Sequence, residues 1–329
     1  MAPPAELLAL GSTITGVVLT APVSAVLARA SWPARTPRAA LVFWQAVCLA
    51  AGLSLVGAGV VLAVAPFPGS FPHAAWTGLT HLVTGRVFGE LPAWRIAAGL
   101  AAVLLAGALL TVLIRCVVLT LRRRRAHREL LDLLTAPSPF TGGGAREAAA
   151  DVSILDHDRA VAYTLPGFHA RIVLSVGMLD LLDVDQLGAV VEHERAHLRS
   201  RHDLLALPFQ AWAAALGRVP GVRPARRAVA ELTEMLADDA ACTRSSQATL
   251  AAALARVALA DGGRSANRPA AAAELPTASG AAEVDGVQIT RRVRRLLDPA
   301  PLPGAVTALV YLAAAALLSV PPVLLLLGW

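Results

Sequence analysis

The run His193-Glu194-Arg195-Ala196-His197 sets two imidazoles four residues apart, with a carboxylate beside the first. On an α-helix, residues i and i+4 share a face, so both rings can reach one metal ion. Imidazole nitrogen suits Zn²⁺. Glu194 then stands next to the first ring, where a carboxylate can hold a water and take its proton. A zinc site with an open position takes three protein ligands, so a third must come from elsewhere. A second helical stretch, from Pro224 to Asp239, offers Glu231, Glu234, Asp238 and Asp239. Glu234 and Asp238 are four apart and share a face. Glu234 can be the third ligand, with Asp238 accepting the free ring N–H of a ligand histidine. On geometry alone Glu231 stays open as an alternative ligand; otherwise Glu231 and Asp239 read as solvated carboxylates.

The helix that carries the histidine pair is legible from its own residues. Asp183 is a candidate N-cap, Gln186 completes a capping box, and Leu182 with Leu187 fit a hydrophobic staple. Leu187, Val190, Val191 and Leu198 form its apolar face, and it runs to about Arg201. His202 lies five residues past His197 and faces elsewhere on an ideal helix, which predicts a structural role. Upstream, Ala160 to Thr164 and Arg171 to Ser175 are strand-like, separated by the turn-forming Leu165-Pro-Gly-Phe-His169. A hairpin or two adjacent edge strands would follow. Arg171, Ile172, Val173, Leu174 and Ser175, or the neighbouring strand, are candidates to bind an extended substrate by strand addition; the alternative is plain sheet core. Tyr163 is a candidate oxyanion donor.

The elements around this insert are of another kind. Of 329 residues, 56% are hydrophobic and only 16% charged, with a formal charge of +6. Globular proteins carry about 25% charged residues, so the composition points away from a purely soluble enzyme and rules out a disordered or collagen-like chain. Three cysteines and no CxxC exclude a disulfide scaffold and a cysteine zinc site. Apolar runs over about 7–28, 39–65, 96–120 and 305–327 are long enough to span a bilayer. Of the 23 acidic residues, 21 fall between Glu129 and Asp298. The expected domains are therefore a membrane part over 1–121, a polar domain over 122–300 and a last span over 301–329. Within the polar domain, 261–282 reads as a flexible linker, Thr141 to Gly144 as a loop, and 286–297 as a basic amphipathic helix on the inner leaflet. Arginines at 122–125 and 128, and at 291, 292, 294 and 295, place that domain in the cytoplasm by the positive-inside rule. Both termini then lie outside a multi-pass cell-membrane protein. The lipid bilayer is a partner, and no direct nucleic-acid binding is expected.

Ala162-Tyr-Thr-Leu-Pro-Gly167, Arg171-Ile-Val-Leu-Ser-Val-Gly-Met-Leu179, Leu182-Asp-Val-Asp-Gln-Leu187 and His193-Glu-Arg-Ala-His197 together resemble the gluzincin membrane peptidases. These include the CAAX prenyl protease and HtpX-like enzymes and the BlaR/MecR-type sensor-transducers. In that family an HExxH helix is followed by an ExxxD helix, and Glu234-Met-Leu-Ala-Asp238 matches it. The resemblance implies one Zn²⁺ per chain on His193, His197 and Glu234, Glu194 as the catalytic base, and Asp238 behind a ligand histidine. The implied fold class is a mostly α membrane protein: four transmembrane helices with an inserted α+β, gluzincin-like zinc peptidase domain. Three spans before the insert and one after resemble the BlaR/MecR arrangement, whereas HtpX-like enzymes have two and two. Regulatory proteolysis of a BlaI/MecI-like winged-helix repressor is the implied function. The alternatives are an HtpX-like quality-control protease and a non-enzymatic signalling scaffold with structural zinc. The sequence ends at Trp329 without the penicillin-binding module of BlaR/MecR proteins, so beta-lactam sensing is not carried over.

Overall fold

The structure is a computed structural model and describes residues 4–137, 151–165, 170–265 and 286–326. Its contacts divide the chain into two compact units: Met1–Cys116 with Pro208–Val229 and Leu302–Trp329, and Val117–Leu207 with Ala230–Pro301.

The first unit holds the apolar helices. Helix α1 (Ala5–Val18) passes through a π-helical turn at Leu19–Val23 into α2 (Ser24–Leu27). Pro22 lies in that turn and lacks the N–H that a regular helix would use. Next come α3 (Pro37–Val64), the shorter α4 (Phe71–Val83) and α5 (Val87–Glu90), and α6 (Ala93–Leu134). Among the described residues four stretches are long and apolar enough to cross a membrane: Ala5–Leu27, Pro37–Val64, Ala93–Arg123 and Gly304–Leu326. They coincide with the four runs read from the sequence. Small residues let these helices approach, as membrane packing requires. A Cβ at Gly16 would meet Leu55 Cγ at 2.5 Å, and one at Gly59 would meet the Ala98 carbonyl oxygen at 2.5 Å.

The second unit opens on a four-stranded sheet of β1 (Thr135–Pro137), β2 (Asp151–Leu155), β3 (Ala162–Leu165) and β4 (Arg171–Ser175), in the order β1-β2-β4-β3. β3 and β4 are antiparallel with Tyr163 opposite Val173, as the hairpin reading expects. β4, however, also pairs in parallel with β2. This corrects the assignment of Arg171, Ile172, Val173, Leu174 and Ser175 as a substrate strand, because β4 has a partner on both sides. Its side chains confirm an interior role. Ile172, Val173 and Leu174 are buried. The Ser175 hydroxyl donates to the Arg159 carbonyl oxygen at 2.6 Å and accepts from the amides of Val161 and Met178. Among the described residues the outermost strand on that side of the sheet is β3.

After β4 come α7 (Val176–Leu181), α8 (Val184–Ser200), α9 (His202–Leu216), α10 (Val222–Ala241), α11 (Gln247–Ser265), α12 (Gly286–Leu297) and the last apolar helix α13 (Gly304–Leu326). α8 starts as its sequence dictates. The Asp183 carboxylate accepts from the Gln186 backbone amide at 2.9 Å, and the Gln186 side-chain oxygen accepts from the Asp183 backbone amide at 3.4 Å. Its apolar face packs under the sheet, with Val190 joining Ile172, Leu174, Met178 and Leu182, and with Leu187, Val191 and Leu198 alongside. Alternation along β3 and β4 sends Val173, Leu165 and Tyr163 to the other face.

Three further expectations change. The polar domain does not hold all of 122–300, because Pro208–Val229 groups with the apolar helices. Leu204 to Leu216 carries no charge; Phe209 meets Trp44 edge-on at 6.2 Å between centroids. Gly221 has φ +94°, and a Cβ there would meet the Ala21 carbonyl oxygen at 2.6 Å. The linker begins later than residue 261, since α11 continues to Ser265; the rest of it lies outside the described residues, as do Thr141 to Gly144 and Pro166 to His169. Finally, the basic face of α12, expected on the inner leaflet, is turned to α10. Three of its arginines are bonded to carboxylates of α10: Arg291 to Glu231, Arg292 to Asp238 and Arg295 to Asp239.

Candidate metal centre

α8 presents His193 and His197 on one face, with their Nε2 atoms 3.2 Å apart. α10 supplies Glu234, whose Oε2 lies 3.4 Å from His193 Nε2 and whose Oε1 lies 3.4 Å from His197 Nε2. Two imidazole nitrogens and one carboxylate group from two helices thus converge. Donors about 2.0–2.1 Å from a tetrahedral Zn²⁺ stand about 3.3–3.4 Å from one another. The separations found here are close to that spacing, and one ligand atom from each of His193, His197 and Glu234 lies within 4.8 Å of the others, so the group can hold a metal.

The other ring nitrogen of His193 faces a carboxylate. His193 Nδ1 lies 3.0 Å from Asp238 Oδ1. Asp238 is 1% exposed, and an isolated carboxylate at such a site would be costly. Arg292 meets it with a two-pronged bond, Nε to Oδ2 at 2.8 Å and Nη2 to Oδ1 at 2.7 Å, and places Nη1 3.2 Å from Glu234 Oε2. The planar guanidinium matches this geometry where an ammonium would not. Arg292 was not singled out in the sequence as a site residue. Its only signal there is membership of a basic cluster, which also fits a membrane-facing helix.

Burial disfavours charge throughout this cluster, and specific partners overcome it. For His193 burial works against the charged ring, but Asp238 and Glu234 prevail and push its pKa up to about 10. For Asp238 burial opposes ionisation, but hydrogen bonds with Arg292 and His193 bring its pKa down to about 2. Glu234 is likewise held well below the usual carboxylate range against burial, by His193, His197 and Arg292. Glu194 goes the other way. Burial raises its pKa, and the neighbouring imidazoles offset this only in part.

The other predicted residues fall as follows. Glu231 bonds Arg291 at 3.0 Å and Asp239 bonds Arg295 at 2.7 Å, so neither joins the donor cluster and neither is a free solvated carboxylate. Tyr163 is on the sheet face opposite the one that packs on α8, among Leu155, Leu165 and Val173, where burial pushes its phenol up to about 12. That placement removes it as an oxyanion donor. His202 does not face away from the pair. Its Nδ1 is 3.1 Å from His197 Nδ1, and burial, aided by His197, brings its pKa down to about 4.

The model of peptidase family M48 matches residues 122–260, less than half of the chain. No curated protein and no solved structure matches. The matched segment contains both metal-centre helices, and the match supports a metal-dependent peptidase domain. Together with the four apolar helices it supports a membrane metallopeptidase.

Two measurements test this geometry. A metal must displace the proton that the carboxylates hold on His193. Zinc affinity should therefore rise about tenfold per pH unit between about pH 7 and 9, where an ordinary histidine of pKa ~6.5 is already deprotonated. Chelator-competition titrations across that range report it, and a plateau above neutrality contradicts the arrangement.

The second concerns Arg292. Because the folded pKa of Asp238 lies below its unfolded value of about 3.9, the stabilisation it provides is complete above that pH and is lost as pH falls toward ~2. Arg292→Met should cost about 3–5 kcal/mol near neutral pH, as for a broken buried pair. It should also weaken the acid-side dependence, since Asp238 then titrates closer to its unfolded value. Denaturant unfolding of both proteins from pH 3 to 7 provides the comparison.

Proposed function

We propose that the chain is an integral membrane zinc endopeptidase whose active site faces the cytoplasm. The observation that carries the reading is the convergence of His193, His197 and Glu234 with Glu194 beside them. These three residues would hold Zn²⁺, which when bound supplies Lewis acidity toward water and the scissile carbonyl. Glu194 takes the proton of the attacking water and delivers it to the leaving amine. Its raised pKa suits both halves of that task, because burial makes the carboxylate a better base, and the acid so formed can return the proton. Asp238 orients His193, and Arg292 holds Asp238 and Glu234 in their ionised forms. β3 sits at the sheet edge and lies against α8. It replaces β4 as the strand along which an extended substrate would align.

The finer reading is regulatory cleavage of a cytoplasmic winged-helix repressor of the BlaI/MecI type. Three apolar helices precede the peptidase segment and one follows, which favours this over the two-and-two arrangement of HtpX-like quality-control proteases. A structural zinc scaffold would have no use for Glu194. Within the first unit Arg95 bonds Glu6. That pairing supports the N-terminus and the loop before α6 lying on one side of the membrane, as the arginine distribution predicts.

Glu194→Gln should keep its zinc and lose cleavage by roughly 10²–10⁴ or more, whereas Glu234→Gln should lose zinc and activity together. Metal content and cleavage rate measured side by side separate the two, and wild-type cleavage by Glu194→Gln sinks the mechanism. Proteomes of cells with wild-type protein or Glu194→Gln should differ in a winged-helix repressor cut only by the former. Uncut repressor in both, with another membrane protein degraded, would favour quality control instead.

Orientation is tested by a phosphatase reporter. Fused after residue 329 it should be active outside, and inserted near residue 272 it should be silent. The reverse result would remove the cytoplasmic substrate.

A further inference from the structure

We propose that His202 is a positioning residue for His197, a neutral counterpart to the carboxylate that positions His193. The inference rests on the zinc site proposed above. His197 turns its Nε2 toward His193 Nε2 and Glu234 Oε1, at 3.2 and 3.4 Å, so Nε2 is the atom available to a metal. A neutral ring that coordinates through Nε2 carries its proton on Nδ1. That Nδ1 faces His202 Nδ1 at 3.1 Å, with the two rings perpendicular at 89° and their centroids 5.0 Å apart. One proton lies between the two atoms, so His202 accepts on Nδ1 and carries its own proton on Nε2.

The backbone is bent to achieve this. Arg201, between α8 and α9, adopts φ +45° and ψ +45°, and it is the one non-glycine residue with positive φ among those described. Left-handed backbone is unfavourable for a residue with a Cβ. Here it ends α8 and folds the next side chain back over the preceding turn, where a continuing helix would have carried it away. His202 is buried, 5% exposed, so the contact is enclosed and not a chance surface encounter.

A neutral acceptor also suits the charge balance. Glu234 and Asp238 already share the single guanidinium of Arg292. A second carboxylate behind His197 would be a further buried anion, and among the described residues no other cation contacts the cluster. An imidazole fixes the tautomer of His197 without adding that charge. Groups that orient metal-bound histidines typically contribute 10–100-fold in metal affinity.

The test uses the full-length protein in detergent. His202→Phe keeps a ring but removes the acceptor, and it should bind zinc about 10–100-fold more weakly. His202→Asn returns an acceptor oxygen and should recover much of that loss. The unfolding midpoint of each chelator-treated protein provides the structural control: His202→Phe should lose zinc affinity with its metal-free midpoint close to wild type. Equal affinity for wild type and His202→Phe overturns the proposal, and so does equal loss in Phe and Asn variants, which would mark a purely steric role. Nitrogen-15 histidine spectra of the zinc-loaded wild type need no variant. They should show His197 protonated on Nδ1 and His202 on Nε2, and the opposite tautomer at His202 overturns the proposal. His193→Ala serves as reference: if it binds zinc like wild type, the site reading itself has failed, independently of His202.

Discussion

Glu234 and Asp238, one helical turn apart on α10, are brought against two imidazoles, and that concentration of charge needs a fixed counter-ion. Arg292 provides it, through two bonds to Asp238 and a third contact to Glu234. Much of the second unit follows from that requirement. The guanidinium must arrive within a small angular tolerance, so α12 has to dock along α10. The docking is reinforced at both ends, by Arg291 with Glu231 and by Arg295 with Asp239. Exposed pairs of that kind contribute little energy individually. Their effect here is register: three arginines matched to an acidic face admit one alignment of the two helices. Removing either partner of the buried pair would leave an uncompensated charge, which costs far more than the pair contributes over an apolar substitute.

The second constraint is apolar. α8 could not present its histidines reliably without a fixed rotation about its own axis. Val190, Leu187, Val191 and Leu198 set that rotation by packing beneath Ile172 and Leu174 of β4. His193 and His197 emerge from an adjoining face, toward α10. The sheet therefore acts through its core strand as a foundation for α8, which is why β4 is buried and Ser175 caps α7. A strand with that duty cannot also lie open to a substrate.

What the sequence made legible was mostly local. The capping box at Asp183 and Gln186, the apolar stripe of α8, the His–His spacing and the four apolar spans depend on residues within a turn or two, or on composition alone. Glu234 and Asp238 needed the pairing of two helices, and their own four-residue spacing narrowed the choice. The misreadings came where distant chain segments decide. Strand order put β2 beside β4, and nothing in either strand announces that. Arg292 meets Asp238 across 54 positions, and an arginine-rich amphipathic helix looks the same whether its partner is a lipid headgroup or a carboxylate. An ideal helix carries His202 away from His197, and a single left-handed residue at Arg201 brings it back. The apolar stretch from Leu204 to Leu216 was absorbed into a polar domain because the acidic residues on either side of it dominate the composition.

Three carboxylates stand at the centre, and their surroundings divide the labour among them. Glu234 and Asp238 each receive hydrogen bonds from charged or chargeable partners, and both are held ionised well into the acid range. Such groups make good ligands and good orienting partners, and poor proton acceptors. Glu194 sits within the same cluster but takes no side-chain hydrogen bond among the described residues, and burial lifts its pKa. The charges that depress the other two reach it only at a distance. A carboxylate whose basicity is raised while its neighbours are lowered is the one of the three best suited to accept and return a proton. The proposed roles of Glu194 as base and Glu234 as ligand agree with what each carboxylate touches, and Arg292, bound to Asp238 and beside Glu234, is what sets those two apart from Glu194.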